Sequence, residues 1–300
     1  MPELPEVQTT VDGINTVAKN KYILDIWTNY KSEAKMFSNT IKNPKYFQNF
    51  KKNIIGSKII KAERRAKNIL IHLDNKETIL IHMKMTGHIM YGKYLYDKKN
   101  NKWTPEKGQV SLEDPYNRFI HLVFVLNNGY NLVLSDTRKF AKVILLDDNT
   151  RKEIDLLGPE PLEDDFTYDV FLKNINRWPN KYIKTSLMDA RLVAGIGNIY
   201  SDEILHLAKI LPNRPVFSLN QNEFKNIYKN IKPLLLQGID FGGDSMSDYR
   251  NIYGERGQFQ TKHKVYQRKG EKCLGRGCVG VVERTVLNGR SSHYCPKCQR

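Results

Sequence analysis

Phe119-Ile120-His121-Leu122-Val123-Phe124-Val125-Leu126, then Asn127-Asn128-Gly129, then Tyr130-Asn131-Leu132-Val133-Leu134, is the stretch that decides the fold. Apolar and β-branched residues fill two short runs, and turn residues separate them. Asn128-Gly129 is a strong hairpin signal, because both residues tolerate positive φ. Similar β-rich runs recur at 22–27, 54–60, 68–73, 78–83 and 141–146. Many short strands at this spacing read as a sandwich. The polar stretch 92–117 interrupts them and reads as an insertion or long loop.

The periodicity differs on either side of this β region. Before it, Leu4, Val7, Val11, Ile14 and Ala18 recur at helical spacing, which predicts an amphipathic helix over 5–18. Pro5 suits its first turn, and Glu3 and Glu6 lie at the positive end of its dipole. After it, Leu157-Gly158-Pro159-Glu160-Pro161 and the following acids read as a linker. Beyond the linker the period is helical: Phe224, Ile227, Tyr228, Ile231, Leu234 and Leu235 make one stripe. Helices are predicted at 186–193 and 199–210, joined by Gly195-Ile196-Gly197-Asn198. Glycines at such a joint let a phosphate approach backbone N–H groups at a helix start, or serve turn geometry alone. The glycine-rich stretch 242–257 reads as mobile.

The chain has 300 residues and a formal charge of +16, from 48 Lys and Arg against 32 Asp and Glu. Such a field attracts polyanions, nucleic acid first, although basic surfaces also serve solubility. Residues 255–300 hold eleven basic and three acidic residues, so the excess is concentrated there. No apolar run is long enough to span a membrane and no secretory signal is visible. All four cysteines, Cys273, Cys278, Cys295 and Cys298, lie in the last 28 residues. Two close pairs at this spacing suit four-thiolate zinc binding in a reducing compartment better than disulfides. Four thiolates leave no open position for water, so the ion is read as structural, one per chain. Arg284, Asn288, Gly289 and Arg290 fall between the pairs, on an expected β-hairpin suited to nucleic acid.

Removal of Met1 is expected because Pro2 is small, and it would expose a secondary amine. That amine is a better nucleophile than a side-chain ammonium and less basic than lysine. Glu3 beside it could act as general acid or base. The alternative is that Pro-Glu-x-Pro-Glu is simply a well-capped helix start.

Six separated segments then bring a family into view. Pro2-Glu3-Leu4-Pro5-Glu6-Val7, Arg65-Ala66-Lys67, His82-Met83-Lys84-Met85-Thr86-Gly87, Asp136-Thr137-Arg138-Lys139-Phe140, Gly195-Ile196-Gly197-Asn198-Ile199-Tyr200 and the cysteine module stand in this order. Together they resemble the formamidopyrimidine-DNA glycosylases, also called 8-oxoguanine DNA glycosylase/AP lyases, over essentially the whole chain. The resemblance implies an α+β fold: an N-terminal helix-capped β-sandwich, a helix–two-turn–helix domain and a C-terminal zinc-finger hairpin. The expected boundaries are 1–150 for the sandwich, 151–165 for the linker, 166–265 for the helical domain and 266–300 for the finger. DNA would lie in the cleft between the halves.

By the same resemblance, Pro2 is the nucleophile that attacks the sugar C1′. Glu3 protonates the opening sugar, Glu6 is a second active-site carboxylate, and Lys67 meets phosphate near the lesion. Met85, Arg138 and Phe140 fill the gap left by a flipped nucleotide and hold its partner base. His82, Asn198 and Arg290 contact backbone phosphates. Flipping a base costs a few kcal/mol, and a flexible Met, a planar Phe and an Arg with fixed donors suit that task. The implied partner is double-stranded DNA with oxidised bases or abasic sites. The implied protein is a cytoplasmic, nucleoid-associated monomer without membrane association.

Two other readings compete: an endonuclease VIII-like enzyme for oxidised pyrimidines, and a non-catalytic zinc-ribbon DNA binder. Leu4, the full Met85, Arg138 and Phe140 set and the 242–249 loop favour oxidised purines; Pro2, Glu3 and Lys67 favour catalysis. The chain departs from the family in the x4 spacing of the first cysteine pair and in a longer 91–117 segment. Segment 242–249 occupies the position of the family's loop over 8-oxoguanine and carries two acids.

Overall fold

The computed structural model describes all 300 residues, which divide into two compact units, Met1–Arg151 with Phe241–Gln258, and Lys152–Asp240 with Phe259–Arg300. The first contains α1 (Leu4–Val17), β1 (Ile23–Thr28), α2 (Pro44–Ile54), β2 (Ile59–Arg65), β3 (Asn68–Leu73) and β4 (Thr78–His82). These are followed by β5 (Gly87–Gly92), β6 (Tyr94–Asp97), β7 (Lys102–Pro105), β8 (Ile120–Leu126), β9 (Asn131–Asp136) and β10 (Lys142–Leu145). Two four-stranded antiparallel sheets form, in the orders β1-β8-β9-β5 and β10-β4-β3-β2.

Burial explains the hydrophobic runs. On β3, Ile69, Ile71 and Leu73 are buried while the residues between them are half-exposed, the alternation of a one-sided strand. On β8 nearly every residue is buried. Leu122, Phe124 and Leu126 enter the main core with Leu132 and Leu134 of β9, in one cluster with Val7, Val11 and Ile14 of α1. Ile120, Val123 and Val133 face the other way, into a second cluster with Met90, Tyr94 and Leu112. Stretch 92–117 is therefore structured: it forms the β6–β7 hairpin and two short 3-10 turns, whose Tyr94 and Leu112 cover this outer face. In the β8–β9 turn only Gly129 takes positive φ, at 78°.

Several local expectations are corrected. Run 54–60 is not one strand, because Ile54 ends α2 and β2 begins at Ile59. Pro44 opens α2, and the Asn43 side chain caps it by accepting from the Tyr46 N–H at 3.1 Å. The predicted mobile stretch 242–257 contains buried Ser245, Tyr249, Arg250 and Ile252. It packs with the sandwich unit rather than the helical one: a Cβ on Gly13 of α1 would meet Ile252 at 2.6 Å, so that helix face accepts the segment only without a side chain.

The remaining elements are α3 (Asp148–Asp155), α4 (Tyr168–Ile175), α5 (Ile183–Leu187), α6 (Asn198–Ala208), α7 (Gln221–Asp240), β11 (Glu283–Leu287) and β12 (Arg290–Tyr294). Helix α3 begins before the expected linker and occupies its first residues, and the predicted helix over 186–193 is shorter and earlier, as α5. The cysteine-bearing tail is continuous with the helical unit rather than separate. Buried Lys184 of α5 explains part of this: its Nζ lies 2.7 Å from Asp202 of α6 and donates to Ser291 O at 2.6 Å on β12. No helix is long and apolar enough to cross a membrane.

Candidate active site and cysteine cluster

Pro2, Glu3 and Glu6 are all buried at the start of α1, the two acids 2% and 1% exposed. Glu3 is the N-cap, and its backbone N–H donates to Glu6 Oε2 at 2.7 Å. Glu6 Oε1 accepts the Asp244 N–H at 2.8 Å, and Tyr249 donates its hydroxyl to the Glu6 carbonyl at 3.1 Å. Gly243 makes this approach possible: its φ is +85°, and a Cβ there would lie 2.9 Å from Glu6 Cγ. Burial, then the neighbouring Glu3 charge, push the Glu6 pKa up to about 7. A carboxyl titrating there can exchange protons at neutral pH. With Met1 in place the Pro2 nitrogen is an amide nitrogen, and only loss of Met1 makes it an amine.

Lys67 stands on the tight turn between β2 and β3, where Ala66 takes positive φ, 53°. His82, at the end of β4, accepts the Lys84 N–H on Nδ1 at 3.0 Å. Burial, with Lys84 and Lys67 nearby, holds its pKa down at about 3. The ring is thus neutral, with Nε2–H as its donor.

Two turns carry the proposed base-stack residues. Thr86 donates from Oγ1 to Asp136 Oδ1, tying segment 83–87 to segment 136–141. Buried Asp136 also accepts the Arg138 N–H at 3.3 Å and the Ala141 N–H at 2.8 Å. Met85 and Phe140, 41% and 49% exposed, line one cavity of about 480 Å³ with Lys42, Lys84 and Lys142. Arg138 lies over the Phe140 ring at 4.6 Å. Sequence reading missed Thr86, Asp136, Asp244 and Tyr249 as organisers. Gly242-Gly243 was the available signal for the last two; nothing in the sequence marks Lys42, which lines the cavity with Met85 and Phe140.

In the helical unit, Asn198 opens α6 immediately after Gly197, and Arg290 is exposed at the start of β12. Asn288 and Gly289 both take positive φ, 47° and 75°, as a two-residue hairpin turn requires. The four cysteine sulfurs lie within 4.8 Å of one another. The Cys273–Cys298 and Cys278–Cys295 pairs are each 3.6 Å apart. Backbone N–H groups of Gly275 and Gly280 donate to Cys273 and Cys278, both at 3.3 Å, the pattern of two knuckles turned toward one point. Four sulfurs so gathered can hold a metal ion.

A helix-capped sandwich with buried acids behind its first residues, joined to a helical unit with a four-thiol cluster, defines a class of DNA repair glycosylases. The model for the formamidopyrimidine-DNA glycosylase N-terminal domain matches residues 1–143, and that for the formamidopyrimidine-DNA glycosylase H2TH domain matches 157–250. The chain is 37% identical over 300 residues to the formamidopyrimidine-DNA glycosylase of Herpetosiphon aurantiacus, covering all of both. It is 34% identical to that of Bacillus subtilis, covering 100% of this chain and 99% of the relative. A Lactococcus lactis Fpg mutant in complex with Fapy-dG-containing DNA is similar in structure, with TM-score 0.81, 27% identity and full coverage of both chains. The MutM (Fpg) protein of Thermus thermophilus gives 0.77 at 30% identity, over 99% and 98% of the two chains. The chain belongs to the formamidopyrimidine-DNA glycosylase family, and it is a base-excision DNA glycosylase.

Proposed function

We propose that the chain excises oxidised purines, 8-oxoguanine and formamidopyrimidines, and then cuts the strand. The observation that carries this reading is the buried pair Glu3 and Glu6 directly behind Pro2, with Glu6 titrating near neutrality. Once Met1 is removed, the Pro2 amine attacks C1′ and the N-glycosidic bond breaks. Glu3 delivers a proton to the opening sugar. The resulting imine acidifies the 2′-protons, and β- then δ-elimination expels the 3′ and 5′ phosphates. Lys67 steadies phosphate beside the lesion.

Met85 and Phe140 fill the emptied stack while Arg138 holds the orphaned base. Neutral His82, Asn198 and Arg290 hold backbone phosphates. Double-stranded DNA is the partner; the Lactococcus lactis relatives bound to Fapy-dG-containing and abasic-site DNA support this. The cysteines hold structural zinc: Zn–S bonds of about 2.3 Å in a tetrahedron put sulfurs about 3.8 Å apart. The 3.6 Å pairs here suit it.

Borohydride trapping on an 8-oxoguanine:cytosine duplex tests the reading. Processed protein should yield a covalent adduct, and chain retaining Met1 should bind without trapping. Preference for thymine glycol, or trapping with Met1 retained, would overturn it.

A further inference from the structure

Segment 109–117 is bonded to the segment that reaches Glu6. Arg250 Nη2 donates to both Asp114 carboxylate oxygens, each at 3.0 Å. The Arg250 side chain is 3% exposed, and its guanidinium lies over the Tyr116 ring at 4.9 Å. Its Nη1 donates to Ser247 O at 2.9 Å and to Tyr249 O at 2.8 Å. Asn117 makes a second tie: its amide donates to Gly254 O at 3.0 Å, and its Oδ1 meets His88 Nε2 at 2.9 Å. Leu112 packs beneath, where a Cβ on Gly254 would come within 2.8 Å of it. Contacts therefore run without a break from Asp114 through Arg250 and Tyr249 to Glu6.

A buried guanidinium is costly without its partner, and two bonds to one carboxylate fix its orientation. We propose that segment 109–117 is a strap that positions base excision: Asp114, acting through Arg250, holds the 243–249 turn against Glu6. The strap governs release of the damaged base and not cleavage at a sugar that has already lost its base. An abasic sugar has no glycosidic bond left to break and no departing base to protonate, so the Pro2 amine reaches C1′ without calling on the carboxyl that the turn holds. Asp114, Asn117 and Arg250 are thus positioning residues. This rests on the excision chemistry proposed above.

The test compares full-length, processed enzyme on two duplexes, one with 8-oxoguanine and one with an abasic site at the same position. Wild-type enzyme is measured first; failure to release 8-oxoguanine overturns the excision reading itself, before any variant is read. Displacements of about 1 Å cost up to roughly 10²-fold, so Asp114→Asn should slow base release about 10- to 100-fold and leave abasic cleavage within about twofold. Asp114→Glu should recover most of the loss. Asn117→Ser, which cuts the Gly254 tie without unpairing a buried charge, should shift the same ratio and serves if Asp114→Asn does not fold. Wild-type base release in a folded variant, or equal loss of both activities, would overturn the strap.

Discussion

Thr86 and Asp136, fifty residues apart in sequence, share a hydrogen bond that holds the Met85 turn to the Arg138 turn. Gly87 pairs with Asp136 in the β5–β9 register, so the bond sits where the sheet ends and the turns begin. Gly87 can have no side chain there, since a Cβ would lie 2.6 Å from the Met83 carbonyl.

Thr86→Val keeps the shape and removes the donor, leaving a buried carboxylate one bond short. The unfolding free energy should fall by about 1–3 kcal/mol, and lesion-duplex affinity should fall with it as the two turns separate. Denaturant unfolding and fluorescence titration check this. Unchanged affinity would mean that the turns hold their places without the latch.

Glu6 gives stability a defined pH dependence. Its pKa is raised to about 7 from the ordinary 4.5, so the folded chain keeps a proton that the unfolded chain releases. The contribution is whole below 4.5, is lost as pH rises through about 7, and is absent above. Between about pH 4 and 8 the wild-type chain should lose roughly 3 kcal/mol more than Glu6→Gln. Urea unfolding across that range measures it, and parallel curves for the two proteins would contradict it.

Lys184→Met should cost about 3–5 kcal/mol, because it strands the Asp202 carboxylate in the interior. The pair is 2% and 0% exposed, and the lysine also anchors Ser291 and Ser292 of β12. Chemical denaturation reads the loss. A cost below about 1 kcal/mol would assign Asp202 to its other neighbour, His293.

Cys295→Ser should abolish metal binding and weaken DNA affinity about tenfold or more, since hairpin and cluster order together. Elemental analysis should find one zinc per wild-type chain. Full affinity in the metal-free variant would remove the hairpin from the DNA contacts.

The hairpin around Asn128-Gly129, the first helix and the cysteine cluster were legible because each rests on local pattern: apolar runs about a turn, helical period, paired thiols. The near-continuous apolar run of β8 gave the strand, but not that its outer face is covered by 92–117. Helix α2 is less legible: Tyr46, Phe47, Phe50 and Ile54 have helical spacing, but the apolar run 54–60 overlaps its end and has the composition of a strand. The site was harder. Motif order pointed to Pro2, Glu3 and Met85, but beside the local Thr10 hydroxyl the Glu6 carbonyl accepts from Tyr249, 243 positions away. No local rule selects one tyrosine among 16. That choice is made by the fold, through Gly243 and the face of α1 left open at Gly13.

Main chain meets main chain where Gly257 passes Gly243: a Cβ on Gly257 would lie 2.2 Å from the Gly243 carbonyl oxygen. The excursion between them is closed at its base by this contact and pinned along its length, by Tyr249 to Glu6, by Arg250 to Asp114 and by Ile252 in the main core. Only its exposed side chains, Met246 and Tyr253 among them, can be exchanged without loosening the acids or the sheet, so divergence between related chains should gather at those positions.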